Sequence, residues 1–344
     1  MEKGRCPVCG KINGCHMVAG KDHESCWCMK VKFDKDILQY IPEEYRGVSC
    51  VCMECTMDFQ KRGKIKKAYD MHMHSTASDG TLSPTEIIER AKERGLTGVS
   101  LTDHDTADGL AEAEKRAEEL GIDFIPGIEL SANLYGKDVH ILGYFIDRED
   151  REFLDFLEEI KISRDRRNLR ILEKLKKYRI HISEEELNRE AGGEIRSRLH
   201  IANLIISKGH AYSKAEAFAN YLGKGGVAFE ERVEFTPKVA VEALKRNGAL
   251  AFLAHPKLYS ASLKEVEYLV KELKESGLDG IESEYATFNE QDKKMYRELA
   301  QKHNLLLSGG SDYHGLNREE TDLGAEGITY SQLEFLRKKQ EGKI

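Results

Sequence analysis

From residue 68 onward, short apolar runs alternate with stretches that repeat Leu, Ile, Val or Ala at three-to-four spacing among Glu and Lys. The runs are AYDMHMH (68–74), TGVSLTDHD (97–105), DFIPGIELS (123–131), DVHILGYFI (138–146), GALAFLAHP (248–256), GLDGIESEY (277–285) and LLLSGGSDYHG (305–315). Between most of them lie helical patterns such as SPTEIIERAKERG (83–95) and SLKEVEYLVKELKESG (262–277). Strand–helix alternation with near-continuous apolar strands predicts an α/β fold on a parallel sheet. Closure of that sheet into a barrel is a further step that periodicity alone does not establish.

Each run carries metal-capable side chains at or near its strand. The first has Asp70, His72 and His74, with Asp79 just beyond; the second has Asp103, His104 and Asp105. Glu129, His140, His255 and Glu282 follow on the next four, and Asp312 and His314 on the seventh. Alternate strand residues face one side, so Asp70, His72 and His74 point together, as do Asp312 and His314. Alone, His140 or His255 reads as an ordinary core histidine. Collectively, six of the 12 histidines fall on these strands, which points to a site gathered at strand ends. His181, His210 and His303 sit on helical patterns and receive no role.

All 8 cysteines lie between Cys6 and Cys55, which divides the chain. Cys6-Pro-Val-Cys9-Gly is a knuckle: two thiolates bracket a tight turn. Cys15 and His16 follow, then Cys26-Trp27-Cys28, then Cys50-Val-Cys52-Met-Glu-Cys55. A reducing cytosol disfavours disulfides, and zinc takes four soft or borderline ligands. The thiols Cys6, Cys9, Cys15, Cys26, Cys28, Cys50, Cys52 and Cys55, with His16 and His23 in reserve, suffice for about two structural zincs. So short a segment seldom makes a sufficient core without such a staple. Domain bounds are therefore expected at 1–60 for a zinc module, 61–67 for a basic linker (KRGKIKK), and 68–344 for the large unit.

Composition agrees. The chain has 344 residues, is 40% hydrophobic and 33% charged, and carries a net charge of -7. Residues 1–67 hold 13 basic and 9 acidic side chains, too small an excess to argue a nucleic-acid surface. No run approaches the ~18 apolar residues of a membrane span, and the start of the chain lacks a signal core. A cytoplasmic location and no membrane partner are expected.

The motifs DMHMHSTASDG, SLTDHDT, IPGIELS, VHILGY, LAHP and GGSDYHG, in that order, resemble those of the PHP (polymerase and histidinol phosphatase) family over about residues 68–315. The resemblance implies a distorted seven-stranded β/α barrel that holds three divalent metals and hydrolyses phosphoesters with a metal-bridging hydroxide as nucleophile. It places His72, His74, Glu129 and Asp312 on one metal. Glu129 bridges to a second held by His140 and His255, and Asp79, His104 and His314 hold a third. Glu129, Asp79, His104 and His314 form the implied catalytic set. An aspartate at 79 and a helical insertion, expected at about 148–235, resemble the branch acting on 3',5'-nucleoside bisphosphates, some members of which trim RNA from its 5' end. The N-terminal CPVCG, CWC and CVCMEC resemble the cysteine-rich CWC family, which implies no particular activity.

Mixed imidazole and carboxylate ligands favour Mn or Fe, with Zn as the alternative, over Mg. Guanidinium groups grip phosphate bidentately. In KISRDRRNLR, Arg164 and Arg167 are three apart and share a helix face, while at least two of the four arginines are expected in solvent. Arg198 and His200 resemble a family segment in which a proline follows the arginine; Leu199 stands there instead. These four residues are the candidates for a substrate phosphate. The expected substrate is a nucleotide or short RNA. A small-metabolite phosphatase of the histidinol-phosphatase type, or a non-catalytic zinc-dependent nucleic-acid binder, are the competing readings. The cysteine module is expected to serve partner docking, RNA capture or stability.

Overall fold

A computed structural model describes residues 3–63, 65, 67–193, 195–231 and 235–342. Seven strands form one sheet in sequence order: β1 (Tyr69–Asp70), β2 (Gly98–Leu101), β3 (Asp123–Leu134), β4 (Lys137–Tyr144), β5 (Leu250–Leu253), β6 (Gly280–Tyr285) and β7 (Leu306–Gly310). The ring closes past the ends of β1 and β7. Met71 N donates to Gly309 O at 3.2 Å, Asp312 N to His72 O at 2.8 Å, and His74 N to Tyr313 O at 2.9 Å. Closure demands a glycine at 310, because a Cβ there would stand 2.4 Å from the His72 backbone nitrogen.

The sheet is not wholly parallel, as alternation with helices predicted. β4 runs antiparallel to both β3 and β5, while the other four neighbouring pairs are parallel. The cause is local. Tyr135 and Gly136, at φ 53° and 79°, make a two-residue turn between Leu134 and Lys137, and such a turn joins only antiparallel strands.

Helices start where their caps predict. Ser83 and Glu86 form a capping box with Pro84 in the first turn of Pro84–Glu93, and Thr236 caps Pro237–Arg246, again with proline in the first turn. Their apolar faces cover the outside of the sheet. Ile87, Ile88, Val241 and Leu244 join Val99, Ile128 and Ile141 in the largest core. Between β4 and β5 stand the helices Arg151–Lys177, Glu184–Ala191 and Arg198–Ser207, which bury a separate core of Ile171, Leu175, Leu187, Ile201 and Ile205.

The cysteine-rich segment docks at the opposite end of the barrel from the strand tips. Tyr330 N and Ser331 N, in the first turn of the helix Tyr330–Gln340, donate to Val8 O (3.0 Å) and Pro7 O (2.8 Å). The Thr97 hydroxyl, at the foot of β2, donates to Cys9 O at 3.2 Å. The helix Met53–Arg62 runs into the expected linker and stops at Gly63, whose φ of 69° suits a C-terminal cap. Lys67, the last linker residue, is buried and pairs with Glu284 (3.2 Å) and Glu326 (3.4 Å). Residues 64 and 66 of that linker lie outside the described residues. Among the described residues, no helix is long and apolar enough to cross a membrane.

Candidate metal centre

Most of the side chains singled out along the seven strands converge at one end of the barrel, Asp70 and Asp103 excepted. Glu129, in the middle of β3, is the hub and is almost fully buried. Its Oε2 lies 3.3 Å from His72 Nε2, 3.2 Å from His74 Nε2 and 3.1 Å from His104 Nδ1. Its Oε1 lies 3.0 Å from His140 Nδ1 and 2.9 Å from His255 Nε2. Asp312 Oδ1 meets His72 Nε2 at 3.3 Å and His74 Nε2 at 3.1 Å. Asp79 Oδ1 lies 3.4 Å from His314 Nε2 and 4.0 Å from His74 Nδ1.

Three groups in the barrel therefore bring at least three donor atoms within 4.8 Å of one another: His72, His74, Glu129 and Asp312; His74, Asp79, His104 and His314; and His104, Glu129 and His140. His255 adjoins the last through Glu129 Oε1. The donors fit cations. His72 Nε2, both ring nitrogens of His74, Glu129 Oε2 and Asp312 Oδ1 are buried and make no aligned hydrogen bond. Buried polar atoms without partners are costly, and a cation among converging lone pairs removes that cost. Mixed nitrogen and oxygen donors suit Mn, Fe or Zn.

The electrostatics are those of carboxylates packed against imidazoles. Burial opposes ionisation of Glu129, but the imidazoles of His140, His72 and His104 outweigh it and hold the carboxyl well below its usual range. For Asp312, burial is likewise overcome by His72 and His314. Burial pushes His104 down to about 3, against the pull of Glu129 and Asp79. His72 and His74 move the other way: burial opposes their charge, but Asp312 and Glu129 outweigh it, raising His72 well above its usual range and His74 to about 10. Without a cation the carboxylates therefore keep protons on these two rings, and a metal, which needs neutral imidazoles, displaces those protons when it binds.

The backbone is bent to this purpose. His255 and Asp312 have φ of 23° and 52°, left-handed values that non-glycine residues rarely adopt. Around the candidate ligands stand Glu282, the metal-capable residue of the sixth run, and two residues that carried no sequence signal, Tyr285 and Arg318. Glu282 on β6 sets Oε1 3.0 Å from His72 Nδ1 and takes a hydrogen bond from His255 N on Oε2 at 2.7 Å. Tyr285 donates its hydroxyl to Asp312 Oδ2 at 2.7 Å, and Arg318 pairs with the same oxygen, which leaves Oδ1 for the centre. Asp70 does not join the cluster its i, i+2 spacing suggested. Its carboxylate accepts from Ser311 N at 2.9 Å and Gly324 N at 2.8 Å, because the sheet closes around it. Asp103 is similarly taken up by Ser75 and Ser78.

The candidate phosphate residues lie beside the centre. On Arg151–Lys177, Arg164 and Arg167 are buried while Arg166 and Arg170 are exposed. Arg164 is committed to Asp105 and also reaches Ser131 Oγ at 3.0 Å. Arg198 donates to Asp138 at 3.0 Å. His200 caps its own helix by accepting from Ser197 N at 3.1 Å. Leu199, in place of the family's proline, supplies a backbone N–H that donates to Ser197 Oγ at 3.2 Å. Arg167 Nε is buried without a hydrogen-bond partner, and burial together with the charges of Arg164 and Arg198 pushes its pKa down to about 9.

In the N-terminal segment Cys6, Cys9, Cys52 and Cys55 bring their sulfurs within 4.8 Å of one another. Cys52 N points at Cys6 Sγ (3.3 Å) and Cys55 N at Cys52 Sγ (3.5 Å), as in thiolate–metal knuckles. All eight thiols are free. His16 Nδ1 lies 2.8 Å from Ser25 Oγ, and His23 is exposed beside Asp22.

Comparison with known proteins places this geometry. Residues 70–311 match the PHP domain model, and residues 6–57 match the cysteine-rich CWC model. A 5'-3' exoribonuclease of Haemophilus influenzae is 36% identical over 250 residues, 73% of this chain and 91% of the relative. A 3',5'-nucleoside bisphosphate phosphatase of Chromobacterium violaceum is 31% identical over 256 residues, 74% and 90% of the two chains. A solved structure described as an amidohydrolase from Chromobacterium violaceum superposes with a TM-score of 0.72 at 29% identity, covering 78% of this chain and 96% of that one. Another, from Bifidobacterium adolescentis and provisionally assigned as a metal-dependent phosphoesterase, gives 0.72 at 25% identity over 79% and 96%. A closed seven-stranded ring, histidine and carboxylate donors converging at its strand tips, and relatives matched over most of their length lead to one conclusion: the chain belongs to the PHP domain family and is a metal-dependent phosphoesterase.

Proposed function

We propose that this phosphoesterase acts on nucleotides carrying a second phosphate, namely 3',5'-nucleoside bisphosphates and the 5' ends of short RNA. One observation carries the reading. Ser131 Oγ touches both Arg164 Nη2 (3.0 Å) and His104 Nδ1 (3.3 Å). Arg164 thus stands one hydrogen-bonded residue away from the proposed ligand His104, and Arg167 lies within the influence of the charges of Arg164 and Arg198. Arg164 and Arg198 are already paired with carboxylates, whereas Arg167 keeps a buried donor unmet. A phosphate there supplies the acceptor it lacks. A simple monoester has no group to place at that point. The relatives named for exoribonuclease and bisphosphatase activity support the same substrate class.

We assign one cation to His72, His74, Glu129 and Asp312, a second to Glu129, His140 and His255, and a third to Asp79, His104 and His314, with His74 alongside the third. Mn or Fe suits these donors, with Zn as the alternative. When bound, such ions lower the pKa of a water held between them, neutralise phosphate oxygens and stabilise the departing alkoxide. The chain's own residues do the rest. Glu129 holds two clusters in register, Glu282 fixes the ring of His72, and Tyr285 with Arg318 fixes Asp312. Arg167, with Arg198 and His200, grips the phosphate that does not react. In the N-terminal segment, Cys6, Cys9, Cys52 and Cys55 hold a zinc, and free thiols of this kind fit a cytoplasmic location.

The test is release of inorganic phosphate from a 3',5'-nucleoside bisphosphate in the presence of Mn. Turnover of histidinol phosphate instead would transfer the assignment to a small-metabolite phosphatase. RNA binding without release from any phosphoester would leave a nucleic-acid binder.

A further inference from the structure

Four cysteines remain outside the compact knuckle, and the fold brings them together from three separate stretches. Cys15 Sγ and Cys50 Sγ lie 3.7 Å apart. That distance is far too long for a disulfide, but sulfurs about 2.3 Å from a tetrahedral zinc stand about 3.8 Å from one another. In the compact knuckle, Cys9 and Cys52 show the same spacing, 3.8 Å. Cys28 lines the same cavity as Cys50, and Cys26 stands two residues before Cys28.

Two polar side chains build the frame. Asn13 is buried, accepts from Cys15 N on Oδ1 at 2.9 Å, and donates from Nδ2 to Ser49 Oγ at 2.9 Å. It thereby pins the residues before Cys50 to the start of the Cys15 limb. His16 ties that limb to the next: its Nδ1 lies 2.8 Å from Ser25 Oγ, next to Cys26. A histidine so placed orients the limbs rather than ligating. Trp27, Cys28, Phe33, Tyr45 and Cys50 also line a cavity of about 170 Å³ that opens Cys28 and Cys50 to solvent, while Cys15 and Cys26 are buried. Unlike the first four thiols, these are not gathered within 4.8 Å of one another.

We propose that Cys15, Cys26, Cys28 and Cys50 form a second tetrathiolate zinc site, which must close on its metal and therefore binds it more weakly than the first. The inference is independent of the phosphoesterase reading, since no barrel residue takes part. A site assembled only on binding spends part of its affinity on ordering its limbs.

Cobalt titration of the metal-free, reduced, full-length protein tests this. The thiolate-to-cobalt absorption band is silent for the barrel, whose donors are nitrogen and oxygen. The wild type is expected to fill in two stages, a tight one and a weaker one of equal amplitude. Cys15→Ser/Cys50→Ser is expected to keep the tight stage and lose the weak one, ending at half the wild-type amplitude. Cys26→Ser/Cys28→Ser is expected to behave alike. A wild-type plateau worth only one set of four cobalt–sulfur bonds overturns the proposal, whether or not either variant folds. So does loss of the tight stage in these variants. A native protein short of two titratable thiols, with Cys15 and Cys50 joined, overturns it as well.

Discussion

Glu282→Gln changes almost no volume and removes one charge, so its effect isolates the role of the carboxylate behind His72. Both groups facing Glu282 are donors. His72 turns Nε2 towards Glu129 Oε2 and Asp312 Oδ1, each at 3.3 Å, and Nδ1 towards Glu282 Oε1 at 3.0 Å, so a cation held at Nε2 would leave the ring's proton on Nδ1. The other is the backbone N–H of His255, at 2.7 Å from Oε2. A carboxylate accepts from both, whereas an amide has one oxygen and must turn its NH2 on one of them. Glu282 is fully buried, so no water enters to relieve the mismatch. A buried donor left without an acceptor costs about 1–3 kcal/mol. Removing the carboxylate behind a ligating imidazole lowers metal affinity by about 10- to 100-fold. The expected result is a Mn activation constant for phosphate release raised by about 10- to 100-fold. Part of the turnover should return at saturating Mn. An unchanged activation constant in a folded variant would refute the argument that Glu282 orients the ligands.

Other expectations bear on separate parts of the molecule. His72→Ala is expected to abolish phosphate release while leaving the cysteine module's metal content intact; appreciable turnover would remove His72 from the ligand set. Arg167→Met is expected to raise KM for a bisphosphate by about 10- to 100-fold, the loss of one charge-assisted bond. KM for a plain phosphomonoester should hardly move, and an equal rise for both would deny Arg167 the second phosphate. Cys6→Ser/Cys9→Ser is expected to lower the melting temperature of the barrel by a few degrees, measured by calorimetry, because about 1 kcal/mol per lost backbone bond shifts a domain by that much. An unchanged melting temperature would show that the knuckle does not brace the barrel floor.

The candidate ligands were legible because two rules act locally. Alternate residues of a strand share a side, and strands of a closed sheet deliver their tips to one place, so His72, His74, Asp312 and His314 announced a site before any contact was known. The inward turn of Arg167 was legible from its three-residue offset from Arg164. The reversed direction of β4 was missed, although its signal was present: Tyr135-Gly136 leaves room for a hairpin turn and none for a crossover helix. Glu282 was legible as the metal-capable residue of the sixth run, though not as the partner of His72, and Tyr285 and Arg318 were beyond reach for the same reason. Their work is to touch a ligand from the far side of the ring, and nothing in their local spacing encodes that partner. Asp70 shows the converse, since a residue in perfect register with His72 was claimed by the backbone of the closing strand.

The position of the cysteine module limits what it can do for the chemistry. The metal centre lies at the carboxyl ends of the parallel strands, whereas Pro7, Val8 and Cys9 contact Ser331, Tyr330 and Thr97 at the other end. No side chain of the knuckle can therefore reach the reacting phosphate. What the knuckle does reach is the start of the helix Tyr330–Gln340, whose first backbone N–H groups it satisfies. That helix in turn joins the lower barrel core through Leu333 and Leu336, beside Tyr69 and Met71. Tyr69 and Met71 lead directly into His72 along one strand. A metal bound in the knuckle would thus act on the centre through the rigidity of the barrel floor, and a module variant is expected to alter melting before it alters KM.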